Sequence, residues 1–254
     1  MALIQQMSEA LRLEYQLNSK NLGILYGISA GPGDPELITV KGLRILQASP
    51  VVAFPAGRGD RSGIAQTIIQ PWLQPHQQQL PLYFSFAHDR ATLTAAWVEA
   101  AQQTLIYLRQ GQDVAFVSEG DVNFYSTFSY LAQEVTKLES EVQFRAIPGV
   151  CSPLAAAAAQ GQPLTLWEQR LTVLPTVHRL DQLAETLDRS EVVVLMKVSS
   201  VYRSVWALLK QRELLDRSYI IERCSSENEK IYTQLKQFPD LVLSYFSIWI
   251  IQVK

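Results

Sequence analysis

Short apolar segments alternate with longer helical patterns from about residue 22 onward, and this alternation restricts the possible fold more than any other feature. Helical patterns, such as 89–109 and 126–138, lie between segments that have the length and β-branched content of buried strands. Parallel strands need such crossover connections, so the sequence predicts an α/β fold with mostly parallel sheets. The predicted strands are LGILYGIS (22–29), PVVAFP (50–55), DVAFVS (113–118), VQFRAI (142–147), LTVLP (171–175), EVVVLM (191–196) and SYIIE (218–222).

Three local predictions are more specific. The first helix is expected over PELITVKGLRILQAS (35–49), with Val40 and Leu46 on its apolar face. The Pro- and Gln-rich segment QPWLQPHQQQLP (70–81) is expected to be a connection without regular structure. The last apolar segment, within 241–253, is not preceded by an obvious crossover helix and is expected to form an antiparallel strand.

The composition predicts an ordered protein. With 254 residues, 48% hydrophobic and 18% charged, the chain can bury a substantial core, and its length suggests two domains. The net charge of −2 gives no broad positive field, so we expect no nucleic-acid partner. Cys151 and Cys224 form no CxxC pair and predict neither a disulfide framework nor a zinc site; no other metal site is indicated.

No segment predicts membrane insertion. The longest apolar run, 241–253, is shorter than the roughly 20 residues that a spanning helix needs. The first twenty residues have no basic start followed by an apolar stretch, which argues against a secretory signal. They have apolar residues at helical spacing and are expected to form a short amphipathic extension. The expected location is the cytoplasm.

Three turn motifs follow predicted strands, which is where ligands bind in open α/β sheets. The first turn, GISAGPGDPE (27–36), has glycines that allow a close approach and prolines that stiffen the chain, and Asp34 can cap the next helix. A tight strand-to-helix turn with no ligand would need the same residue types. The motif matches neither the GxxxxGK[ST] nor the GxGxxG pattern, so no nucleotide phosphate site is indicated.

The second turn lies in VSEGDVNFYSTFSYL (117–131) and the third in IPGVCSPLAAAAA (147–159). Asp121 in the second turn is either an acceptor for a ligand or the acceptor of an Asx turn. In the third turn, small residues along a predicted helix allow a ligand to approach the backbone. Cys151 has no histidine near it in sequence and is interpreted as a small buried residue rather than a nucleophile.

In this order the three motifs resemble the tetrapyrrole methylases over nearly the whole chain from about residue 22. The patterns are GxxxGPGDPELxT, GDxxxYSTF and IPGVxS, and the tetrapeptide YSTF (125–128) resembles in particular the precorrin-2 C(20)-methyltransferases. LMKVSS (195–200), IIERCSSENEKI (220–231) and YFSIWIIQ (245–252) are also similar to that subfamily. One departure is Ser29, at a position where the family usually has glycine; another is FAHD (86–89), where methionine-threonine often precedes the acidic residue.

The resemblance implies two α/β domains with a cleft between them, S-adenosylmethionine as methyl donor, S-adenosylhomocysteine as product, and a homodimer. The domains would comprise an extension at 1–20, a tetrapyrrole-side domain at 21–121 and a donor-side domain at 122–254. Carried over by position, the donor site would use Pro32, Glu119, Gly120, Asp121, Phe124, Tyr125, Ser126, Thr127, Cys151, Ser152, Met196 and Cys224.

The tetrapyrrole implied as substrate bears several carboxylates and needs cationic side chains. Arg58 and Arg61, in a glycine-rich loop, are the predicted substrate contacts, together with the backbone at Gly31 and Gly33. For Lys41, Arg44 and Arg90 a solvated helix face is the favoured interpretation. The candidate bases for proton removal are Asp34, Glu36 and His88.

Methyl transfer requires positioning rather than a metal or a strong acid, and the sequence shows no motif that demands another mechanism. The leading hypothesis is methylation at C-20 of precorrin-2 or of its cobalt complex. The alternatives are another ring-carbon tetrapyrrole methyltransferase, such as a uroporphyrinogen III or precorrin-4 methylase, and a non-catalytic paralogue that binds tetrapyrrole or donor. An ordinary nucleotide-binding α/β protein is a further alternative, against which the missing phosphate motif argues.

Overall fold

The computed structural model of the protein describes residues 22–57, 62–85 and 89–254, and the chain divides into two compact units. Of the described residues, those within 22–28, 41–118 and 127–147 form the first unit, and those within 29–40, 119–126 and 148–254 form the second. The turns after the first and fourth strands group with the second unit, and the domain boundary between 121 and 122 stays a prediction. The predicted extension at 1–20 lies outside the described residues.

The first sheet has five strands in the order β3-β2-β4-β1-β5. β1 pairs in parallel with β5, and β2 pairs in parallel with both β3 and β4, as the alternation of strands and helices predicted. The strands are β1 (Leu25–Ser29), β2 (Val51–Pro55), β3 (Gln78–Leu82), β4 (Val114–Ser118) and β5 (Phe144–Ile147). The helices that connect them are α1 (Val40–Ala48), α2 (Ile64–Ile69), α3 (Arg90–Leu108) and α4 (Phe128–Leu138).

Two local predictions for this part were wrong. β3 overlaps the segment predicted to be a connection; it is an edge strand of sequence QQLPL in which Leu82 is the one buried side chain, so its hydrophobic signal is weak. The first helix begins at Val40 rather than at residue 35, because Pro35–Leu37 form a 3-10 turn of their own. Val40 is 86% exposed, so its place on the apolar face was wrong, whereas Leu46 is buried as predicted, together with Gly42.

The second sheet has five strands in the order β6-β7-β10-β8-β9. Only β6 and β7 pair in parallel; β10 is antiparallel to β7 and β8, and β8 is antiparallel to β9. The antiparallel final strand is confirmed, but mostly parallel pairing holds only in the first sheet, since β8, β9 and β10 follow one another without crossover α-helices. The strands are β6 (Leu171–Leu174), β7 (Val192–Met196), β8 (Ser218–Glu222), β9 (Lys230–Tyr232) and β10 (Ser247–Gln252).

Helices cover both faces of this second sheet. They are α5 (Ser152–Ala159), α6 (Leu180–Arg189) and α7 (Tyr202–Gln211). Along β7, Val193 and Leu195 pack into one core cluster with residues of α6 and α7, whereas Val192 and Val194 pack into another with the alanines of α5. Successive side chains of a strand point to opposite faces of the sheet. Because alternate residues of β7 contact different helices, α5 lies on the opposite face from α6 and α7.

None of the helices in the described ranges is long and apolar enough to cross a membrane.

Candidate functional site

The first and second turns are joined through their backbones in the second unit. Gly31 and Gly120 form an antiparallel bridge, in which the Gly120 amide donates to the Gly31 carbonyl at 2.8 Å and the Gly31 amide donates back at 3.2 Å. Next to this bridge, the buried amide of Val122 donates to the Ser29 hydroxyl at 2.8 Å. Ser29 is only 1% exposed, so the departure from the family pattern places a hydroxyl between two turns and not on an open surface.

Asp121 connects the second turn to the third. Its Oδ1 accepts from the amide of Asn123 at 2.8 Å, which is the Asx turn considered in the sequence, and its Oδ2 accepts from the amide of Gly149 at 2.7 Å. The one carboxylate therefore orders its own turn and holds the turn that leads into α5. A ligand contact of Asp121 stays a prediction.

The segment after β8 closes the arrangement on the first turn. A Cβ added to Gly33 would lie 2.5 Å from the carbonyl oxygen of Cys224 and 2.7 Å from the amide of Ser226, so the two backbones touch. The amide of Asp34 also donates to the Ser225 hydroxyl at 3.2 Å. We call the set formed by the three turns and the segment 223–226 the turn ring.

The core beside α5 links the turn ring to β7. Cys224 is buried in this cluster with Ala155, Ala156 and Ala157, and both Val150 and Met196 pack against it. Val150 belongs to the third turn and Met196 ends β7. Apolar contacts in this cluster therefore connect Cys224 with the third turn and with the end of β7. Most of the predicted donor-site residues lie in the second unit and are partly exposed. They are Pro32, Glu119, Asp121, Phe124, Ser126, Cys151, Ser152 and Met196.

Gly120 has open space beside its α-carbon. Its φ is +70°, a conformation that favours glycine, and a Cβ placed on it would have no other heavy atom within 4 Å. The backbone at this point is tied down by the bridge to Gly31, while the space beside its α-carbon is open. A molecule that enters this space meets a fixed main chain rather than a movable side chain.

Glu119 supplies the acidic group beside Gly120. Burial of its carboxyl raises the pKa, and a hydrogen bond from its own backbone and the positive charge of Lys197 oppose this rise only in part. Lys197 follows Met196 in a left-handed conformation, φ 55°, and its ammonium lies 5.6 Å from the ring centroid of Tyr245. The carboxyl and the ammonium therefore belong to the same electrostatic environment.

The raised pKa of Glu119 predicts a pH-dependent gain in stability for Glu119→Gln. Between the ordinary value of 4.5 and the raised value, the folded protein keeps a proton that the unfolded chain has lost, so the free energy of unfolding falls as pH rises. Glutamine does not titrate. We expect the difference in stability between variant and wild type to grow in favour of the variant from pH 4 upward and then to level off, as measured by urea unfolding; parallel pH curves would contradict this.

Cys224 and Cys151 differ in environment. Burial, together with the nearby carboxylate of Glu229, raises the pKa of the Cys224 thiol to about 12, so the thiol is neutral and unreactive near pH 8. Cys151, which the sequence interpreted as buried, is half-buried at the N-cap position of α5. Cys224 is the buried cysteine of the two.

Alkylation should therefore separate the two cysteines. With iodoacetamide at pH 8 we expect peptide mass spectrometry to find Cys151 modified in the folded protein and Cys224 modified only after unfolding. A Cys151→Ser variant should then take up almost no reagent until denaturant is added. Equal modification rates for the two thiols in the folded protein would contradict the burial argument.

Other predicted site residues have different surroundings. Asp34 is the N-cap of the 3-10 turn and accepts from the Glu36 amide at 2.8 Å, and Glu36 is exposed. Tyr125, at φ 54° and 52% exposed, meets the Phe124 ring edge-to-face at 4.7 Å. Thr127 groups with the first unit, at the N-cap position of α4, and makes no side-chain cap there. Three predicted residues lie outside the described ranges: Arg58, Arg61 and His88.

Sequence reasoning missed three contributors to this arrangement. Ser29 was noted only as a departure, although its hydroxyl joins two turns. In the family-like segments LMKVSS and IIERCSSENEKI, the sequence assigned a role to Met196 and Cys224 but not to their neighbours Lys197 and Ser225. Both have positive φ, 55° and 58°, in non-glycine residues, which no composition signal reveals. In the described part of the chain, no group of three His, Cys, Asp or Glu side chains is placed to hold a metal ion.

Comparison with known proteins gives consistent relatives. The family model of tetrapyrrole (corrin/porphyrin) methylases matches residues 24–239. The chain is 31% identical over 226 residues to a cobalt-precorrin-2 C(20)-methyltransferase of Salmonella typhimurium, covering 89% of this chain and 94% of that protein. It is also 31% identical over 217 residues to the cobalamin biosynthesis protein CobIJ of Mycobacterium tuberculosis, and spans only 42% of that longer protein's length.

A solved structure shows the same fold. The cobalt-precorrin-4 methyltransferase CbiF superimposes with a TM-score of 0.68 and 25% sequence identity, over 91% of this chain and 95% of that one. The family match covers well over half of the sequence, including the turn ring. The chain belongs to the tetrapyrrole (corrin/porphyrin) methylase family.

Proposed function

We propose that the protein is an S-adenosylmethionine-dependent methyltransferase that methylates C-20 of precorrin-2 or of its cobalt complex, releasing S-adenosylhomocysteine. The observation that carries this proposal is the turn ring, which presents the fixed backbone at Gly120 beside partly exposed side chains. The similarity to the Salmonella typhimurium enzyme along almost its whole length supports the choice of reaction.

The residues of the turn ring, together with Met196 at the end of β7, suit a donor that combines a charged amino-acid part with a flat base. Open space at Gly120 admits close contact with main chain, Phe124 and Met196 supply apolar surface, and Glu119 supplies a carboxyl group. The donor, when bound, supplies a methyl group on a positively charged sulfur. The residues around it have to exclude water and hold the reacting atoms in line, and such positioning lowers a barrier by roughly 7–11 kcal/mol.

The substrate side of the proposal rests on charge. Arg58 and Arg61 stay the predicted partners of the tetrapyrrole carboxylates, and the backbone of Gly31 and Gly33 in the first turn stays a predicted substrate contact. Asp34, Glu36 and His88 stay the candidates for removing the proton from the methylated carbon. The cleft between two domains, the homodimer and the cytoplasmic location belong to the same proposal, and sedimentation equilibrium would test the dimer.

The test incubates purified protein with methyl-labelled S-adenosylmethionine and, in separate reactions, precorrin-2, cobalt-factor II, uroporphyrinogen III or precorrin-4. We expect mass spectrometry to show one added methyl group with one of the first two substrates and equimolar S-adenosylhomocysteine. Methylation of only uroporphyrinogen III or precorrin-4 would reassign the enzyme to another position on the ring. Donor binding by calorimetry without methylation of any substrate would leave a non-catalytic binding protein.

A further inference from the structure

A cavity of about 680 Å³ lies in the first unit, against the β1–β5 edge of the first sheet. Its wall comes from one side of α1, from β1 and β5, and from the residue before β4. The residues on which the following argument rests are Tyr26, Lys41, Arg44, Ile45, Asp113 and Arg145. None of them belongs to the turn ring or to the predicted donor and substrate sets.

The fold explains why these side chains meet. Arg44 and Ile45 lie three and four positions after Lys41 on α1, and Ala48 lies three positions after Ile45, so these residues form one stripe of the helix. Tyr26 and Arg145 are register partners on the parallel strands β1 and β5, which places them side by side on one face of the sheet. The helix stripe and the strand pair line the same cavity.

The cavity has an excess of positive charge. Three cationic side chains line it, and Asp113 is the single carboxylate, with one oxygen already accepting from the Ile24 amide at 2.7 Å. Among the described residues, no carboxylate forms an ion pair with Lys41, Arg44 or Arg145, whereas Arg109 in the same unit pairs with Glu139 at 3.0 Å. The sequence favoured a solvated helix face for Lys41 and Arg44. Both side chains are exposed, and both line this cavity.

We propose that this cavity is a second ligand site, which binds a molecule with several anionic oxygens on a flat apolar body. The two guanidinium groups match carboxylate or phosphate oxygens in pairs, and Lys41 adds a third positive charge. Tyr26, Ile45 and Ala48 provide aromatic and aliphatic surface for the body of the ligand. The volume falls within the range of small-molecule sites, about 300–1,000 Å³. The proposal is independent of methyl transfer.

The test uses three probes of the same ring system with the full-length protein in low-salt buffer. Naphthalene-1,4,5,8-tetracarboxylate represents a polycarboxylate, 1-naphthyl phosphate represents a phosphate ester, and 1-naphthol carries no anionic group at neutral pH. We expect calorimetry to detect one or both anionic probes with affinities at least tenfold tighter than that of 1-naphthol. Binding of only one anionic probe supports the site and names its chemistry. Equal binding of 1-naphthol, or no binding of either anion below 1 mM, would overturn the proposal.

Charge reversal locates the binding. Arg44→Glu/Arg145→Glu should weaken the anionic probe at least tenfold, and both side chains are exposed, so the fold should tolerate the change. The matched control Arg189→Glu/Arg203→Glu makes the same change in net charge on exposed helix positions of the second unit, where each arginine forms only a surface ion pair. Equal weakening by both double variants would show a general charge effect and would overturn the site.

Arg145→Gln removes one charge without adding another. Its affinity for the anionic probe should lie between those of wild type and the double variant, with an unchanged thermal midpoint.

Discussion

Gly33→Ala should destabilise the protein and abolish high-affinity binding of the methyl donor. The new Cβ would lie 2.5 Å from the Cys224 carbonyl oxygen and 2.7 Å from the Ser226 amide, which are backbone atoms and cannot rotate away. Overpacking of this kind costs about 1–3 kcal/mol and is relieved by movement of one backbone segment. The segment that moves is either the first turn or residues 223–226, and in both cases the contact between them is lost. We therefore expect a lower free energy of unfolding in urea and at least a tenfold weaker affinity for S-adenosylhomocysteine.

The matched control for Gly33 is Gly161→Ala. Gly161 follows α5 with φ +70°, and a Cβ there would have no other heavy atom within 4 Å. Alanine in this left-handed conformation costs about 1–2 kcal/mol of stability without a clash. We expect Gly161→Ala to be destabilised with unchanged donor affinity. If Gly33→Ala binds the donor as well as this control does, the contact between the first turn and the segment 223–226 does not shape the donor site.

The strands that could be predicted from sequence are those that are buried on both faces. β4 (VAFVS) and β7 (VVVLM) each present a mostly apolar run that contains valines, and nearly all of their side chains are buried. β3 was missed because its glutamines and proline pair only through the main chain at the edge of the sheet. β9, another edge strand, has only three residues, and Lys230 and Ile231 in it are exposed. A hydrophobic pattern in the sequence reflects which side chains are buried. The edge strands β3 and β9 bury few side chains, so their patterns are weak.

Strand direction was predictable from the presence or absence of a crossover helix. The helices between the strands of the first sheet imposed parallel pairing, and that prediction is confirmed. Between β8 and β10 the chain has only short turns and β9, so β10 enters antiparallel to its two neighbours. The segment 241–253 is apolar and is not preceded by a clear crossover helix. The position of β10 between β7 and β8 could not be predicted, because it depends on pairing between strands that are distant in sequence.

The candidate site was predictable as a set of turns, and its internal connections were not. The glycine, proline and aspartate residues identified the three turns, because each turn needs such residues locally. Contacts such as Ser29 with Val122, or Gly33 with Cys224, join residues that are about 90 to 190 positions apart. No local pattern carries that information. Ser29 shows the consequence: where the family usually has glycine, a buried hydroxyl supports the second turn.

Asp121→Ala should weaken donor binding more than it weakens the fold. The change removes both acceptors for the amides of Asn123 and Gly149, and hydrogen bonds to a charged group are each worth about 1.5–3 kcal/mol. Without the second bond, the third turn is no longer held to the second. Because about 1.4 kcal/mol corresponds to a tenfold change in affinity, we expect S-adenosylhomocysteine to bind roughly ten- to a hundred-fold more weakly by calorimetry.

Two further variants separate this effect from general destabilisation. Asp121→Asn keeps one amide oxygen as an acceptor but turns an NH₂ group toward the other backbone amide, so we expect an affinity between those of wild type and Asp121→Ala. Asp113→Ala also removes a carboxylate that accepts from a backbone amide, that of Ile24, but it does so in the first unit. It should lower the thermal midpoint with donor affinity unchanged. If Asp121→Ala and Asp113→Ala have the same affinity for the donor, the hydrogen bonds of Asp121 do not shape the donor site, which contradicts the proposed role of the turn ring.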